Sequence, residues 1–535
     1  MITVTDLSFN FGGQLLFKNV DLKFNPGNCY GVIGANGAGK STFFKLLCGE
    51  LEPASGSISI PENVRMSVLR QDHFAFDAFT VLDTVIMGNR RLYDVMKEKD
   101  AIYAKEDFSD EDGIRAAELE AEFAELNGWE AESDASKMIQ GLGLSEDILY
   151  DLMSTLRDSE KVKVLLAQAL FGNPDIILLD EPTNGLDLNA VRWLEDFLAD
   201  YFGTVLVISH DRHFLNNVCT HIVDVDYGGI KLYVGNYEFW YESSQLIQRL
   251  MKAQNKKNEE KIKDLQEFIS RFSANKSKSR QATSRRKLLE KLTVEELPAS
   301  SRRYPFIGFD MDRIAGKDIL FVNDLAKTEN GVKLFSNVTF TVGKEDKIAF
   351  IGNELAITAL FRVLMEETVP DEGSFKWGIS ITKSYFPHDN TKYFEGHEES
   401  MIDWMRPYSK DQTETYIRGM LGRMLFSGDA PNKKVCVLSG GEKVRCMFSR
   451  MMLFGSNFLI VDQPTDHLDL ESITAVNNGL RDFKGNLLLS SHDYEIVNTV
   501  ANRIIEIRPD GMTDFRGTYE EYIEKKDAET SLPQA

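Results

Sequence analysis

The stretch YGVIGANGAGKSTFFKLL, residues 30–47, decides the fold. An apolar, strand-like run ends at Ile33, and helix-forming residues begin at Lys40. Between them Gly34, Gly37 and Gly39, with Asn36 and Ala38, form a loop that closes on Lys40, Ser41 and Thr42. Glycines let successive backbone N–H groups curl around phosphate oxygens at a helix N-terminus. Lys40 then neutralises charge on the β- and γ-phosphates, and Ser41 supplies a hydroxyl to Mg²⁺. A glycine-rich turn that only ended a strand would not require Lys-Ser after its last glycine. The stretch therefore predicts an α/β P-loop NTPase domain that binds a nucleoside triphosphate with Mg²⁺.

Further along, the apolar run IILL ends in Asp180 and Glu181, which places two carboxylates at the carboxyl edge of a parallel sheet, where ligands of such folds bind. Asp180 is expected to hold Mg²⁺ through water, and Glu181 to act as general base on the water that attacks the γ-phosphate. His210, after TVLVIS, is placed to contact the γ-phosphate and that water, and Gln71 to join metal and water. Phe11 offers an aromatic face to adenine, and packing in the core accounts for it equally well.

The chain then repeats itself. LLFKNVDLKF precedes the first loop and KLFSNVTFTV precedes IGNELAITAL; LLDEPTNGLD returns as IVDQPTDHLD and VISHD as LSSHD. An offset of 282 residues separates Glu181 from Gln463 and His210 from His492, whereas Gly34 and Gly352 lie 318 apart. The first copy therefore carries about 36 extra residues near 90–140, a charged stretch rich in helix formers that predicts a projecting helical arm. The expected organisation is a first nucleotide-binding domain over 1–240, a helical linker over 241–305, a second domain over 306–525 and a short tail over 526–535.

A chain of 535 residues is too long for one core, and 43% hydrophobic with 27% charged residues is ordinary globular composition. No apolar run reaches the length of a spanning helix, and the five cysteines form no CxxC pair, so a cytoplasmic protein with reduced thiols is expected. A formal charge of -22 opposes general affinity for nucleic acid. Against that background the linker segment RFSANKSKSRQATSRRK holds Arg271, Lys276, Lys278, Arg280, Arg285, Arg286 and Lys287 and no acidic residue. Such a purely basic island predicts contact with a polyanion, RNA above all.

Two cassettes on one chain, no membrane domain and a basic helical bridge together resemble the ABC-F branch of the ATP-binding-cassette superfamily, and the FSANKSKSRQATSR and YFPHDN segments look like its bacterial short-linker subgroup. The resemblance implies ATP as the nucleotide and a monomer whose cassettes pair head to tail. Each nucleotide would then lie between one cassette's P-loop and the other's LSGG signature. By that rule Lys40, Asp180, Glu181 and His210 would meet the intact signature Ser439, Gly440, Gly441 and Glu442.

The other site departs from the family pattern at each motif. The second loop lacks the later glycines and has Ile357 at the lysine's place, followed by Thr358. Asp462 is kept, but its neighbour is Gln463, whose amide is too weak a base to take a proton from water. The counterparts of Gln71 and Phe11 fall near Pro387 and Glu329, and the first signature reads Arg157, Asp158, Ser159. Losses that fall on one site predict a degenerate half beside one hydrolytic half. An engineered change at Gln463 alone would leave the loop and the signature unexplained.

The resemblance further implies a ribosomal target, with rRNA and tRNA near the exit site as contacts of the linker, and a clamp that ATP closes and hydrolysis opens. Translation factor and antibiotic-protection factor are both compatible with the sequence. An ATP-binding subunit of a membrane transporter is the alternative of another class, and the basic bridge argues against it.

Overall fold

The computed structural model describes residues 1–11, 14–69, 74–247, 249–250, 263, 302–329, 331–466 and 468–530. The chain forms two compact units, one of residues 1–60 with 215–301 and one of residues 61–214 with 302–535. This division cuts across the two sequence copies, because the middle of the first copy belongs to the same unit as the whole of the second.

In the first unit the hairpin Ile2–Phe11 and Gln14–Phe24 is joined on its other edge by Ser55–Ser59, all antiparallel. Val4, Leu7, Phe9, Phe17, Val20, Leu22 and Phe24 turn inward and are buried, the alternation expected of a sheet with one face covered. Strand Asn28–Ile33 pairs in parallel with His221–Asp226, which pairs antiparallel with Gly229–Val234. Asn28–Ile33 is buried almost end to end, and the helix Lys40–Leu47 follows it.

In the second unit a six-stranded sheet runs in the order Lys383–Phe386, Phe458–Asp462, Asn486–Ser490, Lys347–Gly352, Arg503–Arg508, Gly511–Arg516. Its pairs are parallel except the last. Helix Glu354–Leu364 packs Ala356, Ile357, Leu360, Phe361 and Leu364 into one core of this sheet. The helices Met401–Met405, Glu414–Arg423 and Gly440–Phe454 build a second core with Phe386, Val461 and Leu489. From the first copy come the parallel strands Met66–Val68, Ile176–Asp180 and Thr204–Ile208.

Residues 90–141 fold as the helices Arg90–Tyr103, Asp110–Glu125 and Ala131–Gly141. The first two are laced by the ion pairs Arg91–Glu122, Lys99–Glu120 and Arg115–Glu98. Within this unit the first copy also packs directly on the second. Leu188 lies against the cluster of Ala349, Val497 and Tyr519, the His213 ring stacks on Tyr494 with centroids 3.7 Å apart, and the Arg212 guanidinium donates to the Leu470 carbonyl at 3.4 Å.

All five cysteines are free, with Cys29, Cys219 and Cys446 buried. Helix Tyr519–Thr530 runs on past residue 525, so the tail expected from residue 526 begins inside a helix. The basic residues Arg271, Lys276, Lys278, Arg280, Arg285, Arg286 and Lys287, and with them the core of the linker, lie outside the described residues.

Candidate nucleotide sites

In the first unit the loop after Ile33 has the geometry its glycines predict. A Cβ on Gly34 would come within 2.6 Å of the Val225 carbonyl oxygen, and Gly37 and Gly39 hold φ values of 81° and 106°, which favour glycine. Gly39 is the N-cap of helix Lys40–Leu47 and makes no side-chain cap, so the backbone amides of the first turn face the loop. Lys40 is buried, and its ammonium donates to the carbonyls of Gly34 at 2.8 Å and Ala35 at 3.3 Å. Asn36, Gly37 and Ser41 are exposed, while Ala38 and Thr42 are half-buried. Phe11 closes its strand by pairing with Gln14, and its side chain lies outside the described residues.

In the second unit Asp180 ends its strand and Glu181 follows with φ 53°. The turn is fixed from both sides: the Glu181 amide donates to the Ile208 carbonyl at 2.8 Å, and its carboxylate accepts the His210 amide at 3.1 Å. His210 Nε2 lies 3.2 Å from the other carboxylate oxygen. A left-handed backbone at a non-glycine residue costs about 1 kcal/mol or more and persists where the surroundings enforce it, as at functional turns. Gln71 lies outside the described residues.

The second copy repeats this turn with one atom changed. Gln463 has φ 48°, donates from its amide to the Ser490 carbonyl at 2.8 Å, and accepts the His492 amide on its side-chain oxygen at 3.0 Å. Its side-chain nitrogen donates to the Ser490 hydroxyl at 3.3 Å. The scaffold of a general base is kept, and the base is gone.

The loop differs more. Gly352 remains, and a Cβ there would meet the Ile507 carbonyl oxygen at 2.4 Å. One residue later Asn353 already caps helix Glu354–Leu364, its side chain accepting the Ala356 amide at 3.3 Å. The helix ends fix the register, since Glu50 donates to the Lys45 carbonyl and Glu367 to the Arg362 carbonyl, both at 2.9 Å. Lys40 then corresponds to Ile357 and Ser41 to Thr358, so the second helix starts three residues early. An extra turn of helix stands in place of the phosphate-binding loop. Ile357 is buried in the apolar core, and the Thr358 hydroxyl donates directly to the Asp462 carboxylate at 2.7 Å. Burial pushes the Asp462 carboxyl up to about 6, with the Thr358 bond opposing it.

At the N-terminus of this helix Glu354 meets two histidines. His388 Nδ1 is 3.1 Å and His492 Nε2 3.5 Å from its carboxylate oxygens, and His388 Nε2 lies 3.4 Å from Asp466. The Asp466 carboxylate, with Glu354 adding to it and burial opposing, pushes His388 up to about 9. The His492 imidazole, against burial and with His388 adding, holds the Glu354 carboxyl below its ordinary range.

Strand pairing sharpens one expected correspondence, the counterpart of Gln71 near Pro387. Met66 pairs with Ile176 and Lys383 with Phe458, so counting along each chain aligns Gln71 with His388 rather than with Pro387. Neither Glu354 nor His388 stands out in the sequence as a site residue. The signal that finds Glu354 is Asn-Glu just before an apolar helical run, a helix-start pattern where a glycine loop is expected. Glu329 pairs with Val332 as Phe11 pairs with Gln14, which places it at the same point of its hairpin.

The signatures differ at the same level. Ser439 caps helix Gly440–Phe454 by accepting the Glu442 amide at 3.4 Å, and Glu442 accepts the Ser439 amide at 3.0 Å, leaving Gly440 and Gly441 as bare first-turn backbone. In the first copy Arg157 precedes helix Asp158–Leu170. Its amide donates to Glu160 at 3.0 Å and its guanidinium pairs with the same carboxylate. Asp158 and Ser159 thus stand where the other helix has glycines, and the carboxylate of Asp158 sits at a helix N-terminus, where a phosphate would otherwise be favoured.

Comparison with known proteins agrees with a doubled cassette. A family model described as ABC transporter matches residues 17–184 and 335–466, and a second of the same description matches 223–309. The uncharacterized ABC transporter ATP-binding protein YkpA of Bacillus subtilis is 59% identical over 100% of this chain and 99% of its own length. ABC transporter F family member 2 of Arabidopsis thaliana is 29% identical over 98% of this chain and 79% of its own length. Among solved structures, the archaeal ribosome recycling factor aABCE1, in complex with the stalk protein aP1, superposes with a TM-score of 0.61 at 18% identity, over 98% of this chain and 92% of that one. Among the described residues no helix is long and apolar enough to cross a membrane. With both copies matched by one family and relatives aligned over nearly the whole length, this chain belongs to the ABC-F family of tandem ATP-binding-cassette ATPases.

Proposed function

We propose that this ATPase turns over ATP with one residue set and uses the cycle to act on the ribosome in the cytoplasm. The hydrolytic set is Lys40, Ser41, Asp180, Glu181 and His210, with Gln71 and the signature Ser439, Gly440, Gly441 and Glu442. Lys40 and the loop amides take the phosphates, and Glu181, fixed between the Ile208 carbonyl and the His210 amide, takes the proton of the attacking water. Ser41 and Asp180, with Gln71, would hold Mg²⁺, which lowers the charge barrier at the γ-phosphate. The second set, Ile357, Thr358, Asp462, Gln463 and His492 with Arg157, Asp158 and Ser159, is degenerate and does not hydrolyse. The observation that carries this reading is the turn at Gln463, whose backbone and hydrogen bonds match those at Glu181 while the carboxylate has become an amide.

The ribosomal target rests on the basic island between the copies, on the ABC-F relatives, and on the name of the ribosome recycling factor whose fold this chain shares. Phosphate contacts by Lys and Arg release counterions, so binding through such an island weakens steeply with salt. Arg271, Lys276, Lys278, Arg280, Arg285, Arg286 and Lys287 are assigned to rRNA and tRNA near the exit site, on a monomeric chain.

The test is co-sedimentation of the Glu181→Gln chain with ribosomes in ATP over rising KCl. Expected is ATP-dependent binding whose salt slope falls by about one for each basic linker residue replaced by Gln. Recovery with membranes and not with ribosomes overturns the reading in favour of a transporter subunit.

A further inference from the structure

We propose that Glu354 is a built-in anion, whose carboxylate takes the place of nucleotide phosphate in the second half-site and keeps nucleotide out of it. The inference rests on the reading of one hydrolytic set and goes further, since a site that cannot hydrolyse can still bind.

Three observations converge. First, helix begins two residues after Gly352, so the stretch that would cradle phosphate is wound into an extra helical turn, with the Ala356 N–H spent on the Asn353 side chain and the Ile357 N–H on the Asn353 carbonyl. Second, the first residue of that turn is an acid. Negative charge at a helix N-terminus is favoured by the unpaired amides and the helix dipole, the same interaction that draws phosphate to a P-loop.

Third, the two groups that reach the helix from other loops are those that correspond to the phosphate-sensing positions of the first copy. His492 corresponds to His210, and His388 corresponds to Gln71. In the first copy His210 lies against Glu181. In the second both histidines lie against Glu354, at 3.5 and 3.1 Å, and Asp466 holds His388 from its other nitrogen. A protonated His388 between two carboxylates supplies the positive charge that Lys40 supplies in the first copy, from a different loop and toward a residue of the chain itself. The Thr358–Asp462 bond at 2.7 Å ties to each other the two residues that correspond to Ser41 and Asp180.

Two measurements on the full chain test this. Equilibrium dialysis of radiolabelled ATP against Glu181→Gln is expected to give about one nucleotide per chain, and against Glu181→Gln with Lys40→Ala close to none. Two per chain, or one that survives Lys40→Ala, overturns the built-in anion and leaves single-site hydrolysis standing, because that is read separately from turnover. The second measurement is chemical rescue in the Lys40→Ala background, where phosphate cannot act through the first loop. Glu354→Ala should melt below its parent and recover by roughly 2 °C or more with saturating formate or inorganic phosphate, whereas the parent with Glu354 does not respond. Replacing His388 and His492 by Ala should abolish the recovery. A Glu354→Ala chain that folds and answers to neither anion overturns the proposal. Should it not fold, Glu354→Gln, which keeps the shape and drops the charge, takes its place with the same two outcomes.

Discussion

Gln463 holds the backbone amide of His492 on its side-chain oxygen at 3.0 Å. Glu181 makes the same bond to His210 at 3.1 Å, and both residues take left-handed backbone conformations to do so. The turn is thus built for a particular oxygen, and an amide oxygen serves the architecture as well as a carboxylate does. What is lost is basicity alone. Restoring it by Gln463→Glu is expected to leave kcat within about twofold of the parent, since a general base contributes only where nucleotide is bound beside it. A gain of tenfold in steady-state hydrolysis would show that the second set lacked nothing else.

The lysine positions make the complementary prediction. Lys40 is buried over its own loop, whereas Ile357, at the matching point of the second helix, belongs to the apolar core. Lys40→Ala should bring hydrolysis to background, and Glu181→Gln should lower it by roughly 10²–10⁴-fold. Ile357→Ala should cost about 2–5 kcal/mol of stability by opening a cavity and leave turnover per folded molecule unchanged. Equal loss of turnover in the two alanine variants would contradict the asymmetry.

Much of this was legible in the sequence for a physical reason. A P-loop, a strand ending in Asp-Glu and a Ser-Gly-Gly cap each use residue types that few other roles demand, so Lys40, Glu181 and Ser439 announce themselves. The duplication points to Ile357 and Thr358 across a one-residue deletion, and the helix-end hydrogen bonds give the same register. Glu354 and His388 escaped because acids at helix starts and histidines in loops are common, and only the convergence of two histidines from separate loops on one carboxylate gives them meaning. His388 also needed the strand register, as a residue count from Gly34 and Gly352, 318 apart, runs one position too far, to Asp389. The compact units were illegible for a different reason. They depend on contacts such as His213 on Tyr494 and Leu188 on the cluster around Val497 and Tyr519, which join residues from different copies and leave no local pattern.

The His388 charge gives a pH signature. Between Asp466 and Glu354 its imidazolium persists to about pH 9 in the folded chain, while an unfolded histidine loses its proton near pH 6.5. Its contribution to stability is therefore complete below about pH 6.5 and is lost as pH rises through about 9. Glu354, held below its ordinary range by His492, works the other way: its contribution is present above the usual carboxylate range and fades as pH falls through its lowered value. The melting temperature of the parent should exceed that of His388→Gln by most near pH 6, and the two should converge by pH 10. A gap that stays constant across that range would mean His388 acts by packing rather than by charge.

The one glycine that the second loop kept makes the last prediction, and it separates phosphate chemistry from folding. Gly34 and Gly352 stand at the same point after their strands, and in each a Cβ would collide with a neighbouring strand's carbonyl, Val225 at 2.6 Å and Ile507 at 2.4 Å. Gly352 also holds φ 117°, a conformation that a side chain resists. Close approach of two strands therefore demands glycine there whether or not phosphate binds, which is why the glycine outlasted the rest of the loop. Gly352→Ala is expected to destabilise the chain by about 2 kcal/mol or more while leaving turnover of the folded fraction intact. Gly34→Ala, by contrast, should lose both. Gly419 is the control, since it lies within helix Glu414–Arg423 with nothing within 4 Å of its added Cβ. There alanine should stabilise by about 0.5–1 kcal/mol through helix propensity. Denaturant midpoints beside steady-state hydrolysis for the three variants check this, and a Gly352→Ala chain as stable as its parent would return that glycine to a phosphate-binding role.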